Sequence, residues 1–371
     1  MRLSFQQAGL FARDLDTLRS VADEVAVRAR GGACAAAEPS IAKSSIDIQT
    51  LRGGRNADAR WDAFAEQAGA SFQGSATAIR WEAMKGAHKQ RLRRFAFFDA
   101  EGSQIGQCAV LVGKPRNRIV DAIQLLPHAI DCWPDAMMAL LREIGSGHYF
   151  YGGRWNKDPA RTAWIASLPG VRIESSRPMF VQGVNFSRWP DFESYWKKTS
   201  ENVRRNARYA LERNEGIHTE RLGWHGVLSN LWALCNLKAA SLDKKGLQEH
   251  GIHRARRLAM LALRFRDRVD LQIARDGAGG ILCFQLNIRF GRETYYLEGG
   301  QAAGATGANW LLFREVLRDA FTRHPDGHFV MGRFEPATHD EEVGGGLYRS
   351  RRSLRVDDDE IAEVEFSYKA A

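Results

Sequence analysis

The stretch WPDFESYWKKTSENVRRNARYALERNEG, Trp189 to Gly216, holds more organised chemistry than any other part of this 371-residue chain. Phe192, Tyr195 and Trp196 recur at helical spacing after Pro190, a residue tolerated in a first helical turn. Val203, Ala207, Ala210 and Leu211 then follow at i, i+4, i+7 and i+8, the stripe of a second helix. Two short helices, or one kinked helix, are expected, the second starting near Ser200 as its N-cap and ending at Gly216. At about 100° of rotation per residue, Arg204, Arg205 and Arg208 share one face beside that stripe. The face reads either as an anion site or as a charged surface turned to water.

Working outward, a chain of this length with 44% hydrophobic residues can bury a substantial core and suggests two domains of ordinary size. The net charge of +9 favours anionic partners: a nucleotide cofactor, nucleic acid, an anionic glycan or a membrane surface. Cys34, Cys108, Cys132, Cys235 and Cys283 are odd in number, far apart and without a C-x-x-C pair, which points to reduced thiols in the cytoplasm and against a zinc site. No apolar run approaches the roughly 20 residues of a membrane span. Charges interleaved through the first 24 residues, from Arg13 to Glu24, argue against a signal peptide.

Leu10 to Arg30 has helical spacing and is followed by a GGACAAAEPS linker. A strand is expected over Ser45 to Leu51, a helix carrying Trp61 and Phe64 after it, a hairpin over Arg94 to Val112, and a strand over Arg118 to Leu125. A helix over Trp133 to Ile144, a strand at Tyr149 to Gly152, a helix at Pro159 to Ser167 and one or two strands over Val171 to Val184 complete the first half. After the quoted stretch come helices at Ser229 to Ser241 and His253 to Arg268. Strands follow over Val269 to Arg275, Gly280 to Arg289 and Arg292 to Glu298, the last two joined at Phe290-Gly291. A glycine-containing loop, a helix from Asn309 to Phe321 and a strand at His328 to Phe334 follow. The chain then closes with a strand pair at Ser353 to Val356 and Ile361 to Ser367, turning through the acidic Asp357 to Glu360.

The run SENVRRNARYALERNEG, the Trp-Pro-x-Phe-x-x-Tyr element before it, the YYLEGG segment at Tyr295 to Gly300 and the GLYRSRR segment at Gly346 to Arg352 resemble the CelD-like branch of the GNAT acyltransferase superfamily. That branch is related to the Fem peptidoglycan aminoacyltransferases. The resemblance covers the C-terminal half and implies a tandem GNAT-like α+β fold. It divides the chain into an N-terminal helix and linker (1–44), a first GNAT-like domain (45–185) and a second (186–371) carrying the donor site. It further implies an acyl-CoA donor, held by backbone amides in a Q/R-x-x-G-x-G/A loop between a strand and a helix N-terminus, where small residues admit close approach and the helix dipole favours anions. Gln301 and Gly304 match that pattern; Thr306 occupies the third fixed position, with the glycine displaced to Gly307.

Acyl transfer needs a base for the acceptor and a proton for the leaving group. Glu298, at the end of the strand entering the loop, is the first candidate base and Glu335, at the end of the next strand, the second; each also reads as a carboxylate paired with an arginine. Tyr348 could protonate the leaving group, as GNAT tyrosines can, or be structural. Arg204, Arg205 and Arg208 would hold an anionic part of the substrate. No metal is expected: His250 and His253 lack a third ligand, and Pro325 and Gly327 separate His324 from His328. There is no G-x-S-x-G elbow, P-loop or dinucleotide fingerprint. The function expected is acyl transfer from acyl-CoA to an amine or hydroxyl of a sugar, sugar nucleotide or amino-acid-like acceptor in polysaccharide or envelope biosynthesis. The alternatives are a Fem-like transferase using aminoacyl-tRNA and a noncatalytic binding protein.

Overall fold

The structure is a computed structural model that describes residues 46–85, 90–152, 164–243, 251–334 and 348–370. The expected helix at Leu10 to Arg30 with its linker, the start of the one at Pro159, and Glu335 lie outside these residues. The first half runs β1 (Asp47–Leu51), α1 (Arg55–Gln67), α2 (Ala76–Lys85), β2 (Gln90–Phe98), β3 (Gln104–Gly113), β4 (Asn117–Leu125), α3 (Trp133–Ile144) and β5 (Gly147–Tyr151). The 15-residue β6 (Val171–Asn185) leads to α4 (Phe192–Lys198), α5 (Glu201–Arg213) and β7 (His218–Leu222). Next come α6 (Trp224–Ser229), α7 (Leu231–Asp243), α8 (Gly251–Phe265), β8 (Val269–Arg275), β9 (Ile281–Phe290), β10 (Glu293–Gln301), α9 (Ala308–Arg323), β11 (His328–Phe334) and β12 (Asp357–Tyr368).

The twelve strands among the described residues form one sheet in the order β1-β2-β3-β4-β5-β12-β6-β11-β10-β9-β8-β7. Pairing is antiparallel except at β4/β5 and β10/β11, which are parallel. The two halves therefore repeat one unit: an antiparallel three-stranded meander, a helix, and a strand parallel to the third. β2-β3-β4-α3-β5 and β8-β9-β10-α9-β11 are its two copies, a duplication that no residue-level repeat reveals. At the centre β12 crosses back to pair with both β5 and β6, so the last strand of the chain completes the sheet of its first half.

The quoted stretch forms two helices. Asp191 caps α4, its carboxylate accepting from Ser194 N at 2.6 Å, so Pro190 precedes the helix rather than opening it; Ser200 caps α5, its hydroxyl accepting from Val203 N at 3.3 Å. Val203, Ala207 and Ala210 are buried as the stripe requires, but Leu211 is 56% exposed because α5 lies against α9 with its narrow side. On that face of the sheet α4, α5 and α9 enclose a core with Tyr195, Phe313 and Phe329, while α6, α7 and α8 cover the opposite face with Leu234, Leu258 and Phe284.

Three expectations change. The helix read over Ser229 to Ser241 is α7, starting at Leu231, and a short helix that the reading lacked, α6, precedes it and ends at Ser229. The polar segment HTERL, too hydrophilic to read as a strand, is the edge strand β7 beside β8. The acidic Asp357 to Glu360, expected as a turn between two strands, instead begins β12 opposite Gly183 to Phe180, and Ser353 to Val356 is not a strand. Its carboxylates are met from the side: Arg188 reaches Asp357 at 2.5 Å, Arg352 reaches Asp358 at 2.8 Å, and Gln182 donates to Asp358 at 2.8 Å. No helix among the described residues is long and apolar enough to cross a membrane.

The glycine pair closing YYLEGG has a packing cause. A Cβ on Gly300 would stand 2.9 Å from backbone atoms of Leu237 and Lys238 in α7 and 2.8 Å from the Phe284 ring, so α7 rests directly on the β10 backbone. Gly300→Ala is therefore expected to cost about 1–3 kcal/mol in urea unfolding, the scale of overpacking. Gly53→Ala, where an added Cβ meets nothing within 4 Å, should stay within about 0.5 kcal/mol.

Candidate functional site

The parallel pair β10/β11 holds together over only three register positions, Glu293↔His328, Thr294↔Phe329 and Tyr295↔Val330. Beyond them each strand slips against its other neighbour, β10 between Tyr296 and Glu298 and β11 between Val330 and Gly332. The bulges turn the strands away from one another, because an extra residue bends the strand that carries it. The sheet thus opens between the C-terminal ends of two parallel strands, where open α/β sheets place ligands.

Three strands around this opening meet at Arg351. The helical turn through Tyr348 to Arg352 delivers its guanidinium onto Gly332 of β11, where an added Cβ would lie 2.9 Å from Nη2. Nη1 donates to Gln182 Oε1 of β6 at 3.3 Å, and the charge also acts on the Tyr296 hydroxyl of β10. Arg351 is only 9% exposed and forms no ion pair with a carboxylate among the described residues. Burial pulls its pKa below the ordinary arginine value, with Tyr296 opposing; burial pushes the Tyr296 phenol up to about 12. Among the described residues the hydrogen-bond partner of Arg351 is one neutral amide, and desolvation of a charge is repaid only by a paired countercharge, so the site favours an anion.

The Gln301 to Gly307 loop leaves the same opening. Gln301 N donates to Ser241 Oγ at 3.1 Å and its side-chain amide donates to the Ala305 carbonyl, which curls the loop into α9. Thr306 N donates to Gly304 O at 2.7 Å, and Gly304 and Gly307 both take positive φ, 81° and 77°. The two glycines differ in surroundings. Nothing lies within 4 Å of a Cβ built on Gly304, whereas one on Gly307 would fall 2.2 Å from the Asn206 carbonyl of α5. Asn214 also donates to Thr306 O at 3.1 Å, so α5 covers the C-terminal part of the loop and leaves Gly304 open.

Glu298 lies on the α8 face of the sheet, 11% exposed at its side chain, with Oε2 2.8 Å from Arg257 Nη2. Tyr348 donates to Asp358 Oδ2 at 3.1 Å with its ring 5.1 Å from that of Phe334; burial, then the Asp358 charge, raises its pKa. Of the three arginines on α5, Arg204 and Arg208 line a cleft of about 420 Å³ between α5 and α9, with Trp196 and Arg314. Arg205 is turned away from it, bonded to Asn202 Oδ1 at 3.1 Å. Arg314 stands 6.0 Å over the Trp196 ring, pairs with Glu193 at 3.7 Å and Glu315 at 3.5 Å, and its buried Nε has no hydrogen-bond partner among the described residues.

Periodicity missed Arg314 because it is one of several charges on α9. It missed Arg351 because the sequence offers Arg349, Arg351, Arg352 and Arg355 with nothing to rank them. The only local signal was that Arg351 falls within GLYRSRR.

A meander, a bulged strand, a helix and a parallel strand splayed from it define the GNAT fold, and two copies on one sheet make its tandem form. The chain is similar to the crystal structure of FemX, with a TM-score of 0.64 at 11% identity over 87% of this chain and 97% of that one. It is also similar to a conserved protein of unknown function from Bacteroides thetaiotaomicron VPI-5482, with a TM-score of 0.53 at 11% identity over 87% of this chain and 100% of that one. A tandem GNAT protein from the clavulanic acid biosynthesis pathway matches over 88% of this chain with a TM-score of 0.45 at 11% identity. No family model and no curated protein matches the sequence. The chain has a tandem GNAT-like α+β fold, the fold it shares with FemX.

If Arg351 awaits an anion, Arg351→Met should unfold in urea at the same stability as wild type or up to about 2 kcal/mol above it, since an unpaired buried charge is removed. Sulfate should raise the wild-type melting temperature by more than that of the variant. A loss of several kcal/mol with an unchanged sulfate response would make Arg351 a structural residue.

Proposed function

We propose that the protein is an acyltransferase whose donor enters the opening between β10 and β11 and whose acceptor, an amine or hydroxyl on a sugar, sugar nucleotide or amino-acid-like molecule, meets it at Glu298. The observation that carries this reading is the splayed parallel pair with, at its floor, the buried Arg351, which has no carboxylate partner among the described residues. The donor is acyl-CoA, its diphosphate meeting the Gln301 to Gly307 loop at Gly304, the part that α5 leaves uncovered, with Thr306 and Gly307 shaping the turn into the α9 N-terminus, whose helix dipole favours anions. The division at 185/186 is the boundary between two catalytically unequal GNAT units: the first joins β4 to α3 through Pro127–Cys132, a 3-10 turn with no glycine, and lacks such a cradle. Cytoplasmic acyl transfer in polysaccharide or envelope biosynthesis suits this chemistry.

In the reaction the acceptor proton passes to Glu298 as the new C–N or C–O bond forms. The thioester C–S bond breaks, and the departing thiolate takes a proton from Tyr348. Arg257 keeps the Glu298 carboxylate oriented, and Arg351 faces negative charge on donor or oxyanion. A second reading, aminoacyl-tRNA as donor, is favoured by the Arg204, Arg208 and Arg314 cleft, whose guanidiniums suit phosphodiesters. Arg205, directed elsewhere, would join only by turning toward the ligand.

A stability screen separates the two: an acyl-CoA that raises the melting temperature selects the first, and co-purifying RNA with steeply salt-dependent binding selects the second. In the matching transfer assay Glu298→Gln should fold normally and lower kcat about 10²-fold or more, the scale of a lost general base. Unchanged turnover and pH profile would remove Glu298 from the mechanism. Arg208→Ala should lower kcat/KM about tenfold, about 1.4 kcal/mol, with stability within about 0.5 kcal/mol; a purely solvated arginine would leave both unchanged.

A further inference from the structure

On the α8 face, opposite the arginine cleft, a second chamber of about 170 Å³ lies between the two halves of the chain. The first half supplies Phe72, Ala78 and Trp81, and the second supplies Leu261, Phe265 and Leu297. Its walls are fixed: Phe72 is 5% exposed and packs 6.1 Å edge-on against Phe265 and 4.9 Å from Tyr295. Trp81 is held from outside by Arg264, 5.1 Å over its ring. The β10 bulge at Leu297 places that side chain in the chamber wall immediately before Glu298. Arg257, which also lines the chamber, holds the Glu298 carboxylate at 2.8 Å.

From this geometry we infer that the chamber selects the acceptor: it takes a compact apolar group of about six carbons, a phenyl ring or a short branched chain, attached to the amine that Glu298 serves. Size and polarity carry the assignment. A dry apolar cavity of about 150 Å³ accommodates benzene, and the present walls are mainly aromatic and aliphatic, with Gln73, Glu82 and Arg257 as their polar members. A sugar ring, with a hydroxyl on nearly every carbon, would turn several of them onto Phe72, Leu261 and Phe265 without partners, since only Gln73, Glu82 and Arg257 offer polar groups there. An ammonium carried one carbon beyond an apolar ring is matched by the carboxylate at the rim. Because each half contributes three of the apolar walls, the chamber exists only when β6 and β12 hold the halves on one sheet.

This inference rests on the transferase reading for the role of Glu298, and its test uses no donor, so the two fail separately. Benzylamine, ethylamine and glucosamine are titrated against the full-length protein by calorimetry, and benzylamine is soaked into crystals. Benzylamine should bind at least tenfold more tightly than either of the others, with its ring between Phe72 and Leu261. Ala78→Leu, which fills the chamber, should weaken benzylamine at least tenfold. Leu261→Ala, which enlarges it, should shift preference toward 1-naphthylmethylamine and keeps the test available if the first variant does not fold. Equal affinities for benzylamine and ethylamine, or a Leu261→Ala variant with unchanged preference, overturns the inference even if acyl transfer is found. Binding with the expected ranking but no transfer from any acyl donor sustains the chamber and overturns the transferase reading alone.

Discussion

The antiparallel pairing of β6 with β12 is the constraint on which the rest of the molecule depends. It runs over twelve register positions, from Asp357↔Gly183 to Tyr368↔Val171, and joins segments separated by nearly half the chain. β12 also pairs with β5, and β6 with β11, so these two strands close the edges that each half would otherwise expose. An unpaired central strand would leave a row of backbone donors and acceptors open to other chains. The price is a row of carboxylates from Asp357 to Glu360 inside a sheet, offset by Arg188, Arg352 and Gln182.

From that pairing follows the arrangement of the site. With β6 fixed, β11 is held on one side and β10 is left to diverge on the other, and Arg351 reaches the gap because β12 begins a few residues after it. The two faces then carry different chemistry. α5 and α9 present arginines and a helix N-terminus, suited to a phosphate-bearing donor. α2 and α8 present aromatic and aliphatic walls beside Glu298, suited to an apolar acceptor. On the proposed transferase reading, donor and acceptor would approach from opposite faces of the opened sheet and need no covalent enzyme intermediate, since positioning supplies much of the rate.

Glycines mark where backbone meets backbone in this design. Gly300 admits α7, Gly307 admits α5, and Gly332 admits the Arg351 guanidinium; Gly304, with open space around it, is the one left for a ligand to approach. In the sequence these residues are indistinguishable, and a loop motif read from spacing alone gives Gly304 and Gly307 the same role. The structure separates them by what a Cβ would strike.

The sequence by itself determined what depends on neighbours a few residues apart. The N-cap and the Val203, Ala207 and Ala210 stripe of α5, the meander from Val269 to Glu298 and the helix after the glycine loop are readable from period and turn chemistry, though α5 ends at Arg213 rather than Gly216. Only the tertiary structure decided that Asp357 to Glu360 is strand and not turn, that Leu211 faces solvent, that Arg205 leaves the cleft while Arg314 joins it, and that Arg351 is buried. Each of these depends on a partner from a distant segment: Gln182 for Arg351, Arg188 for Asp357, α9 for the face of α5. Local periodicity reports which residues could be buried together, but whether a given charge is buried is set by the countercharge or dipole that the strand order brings beside it.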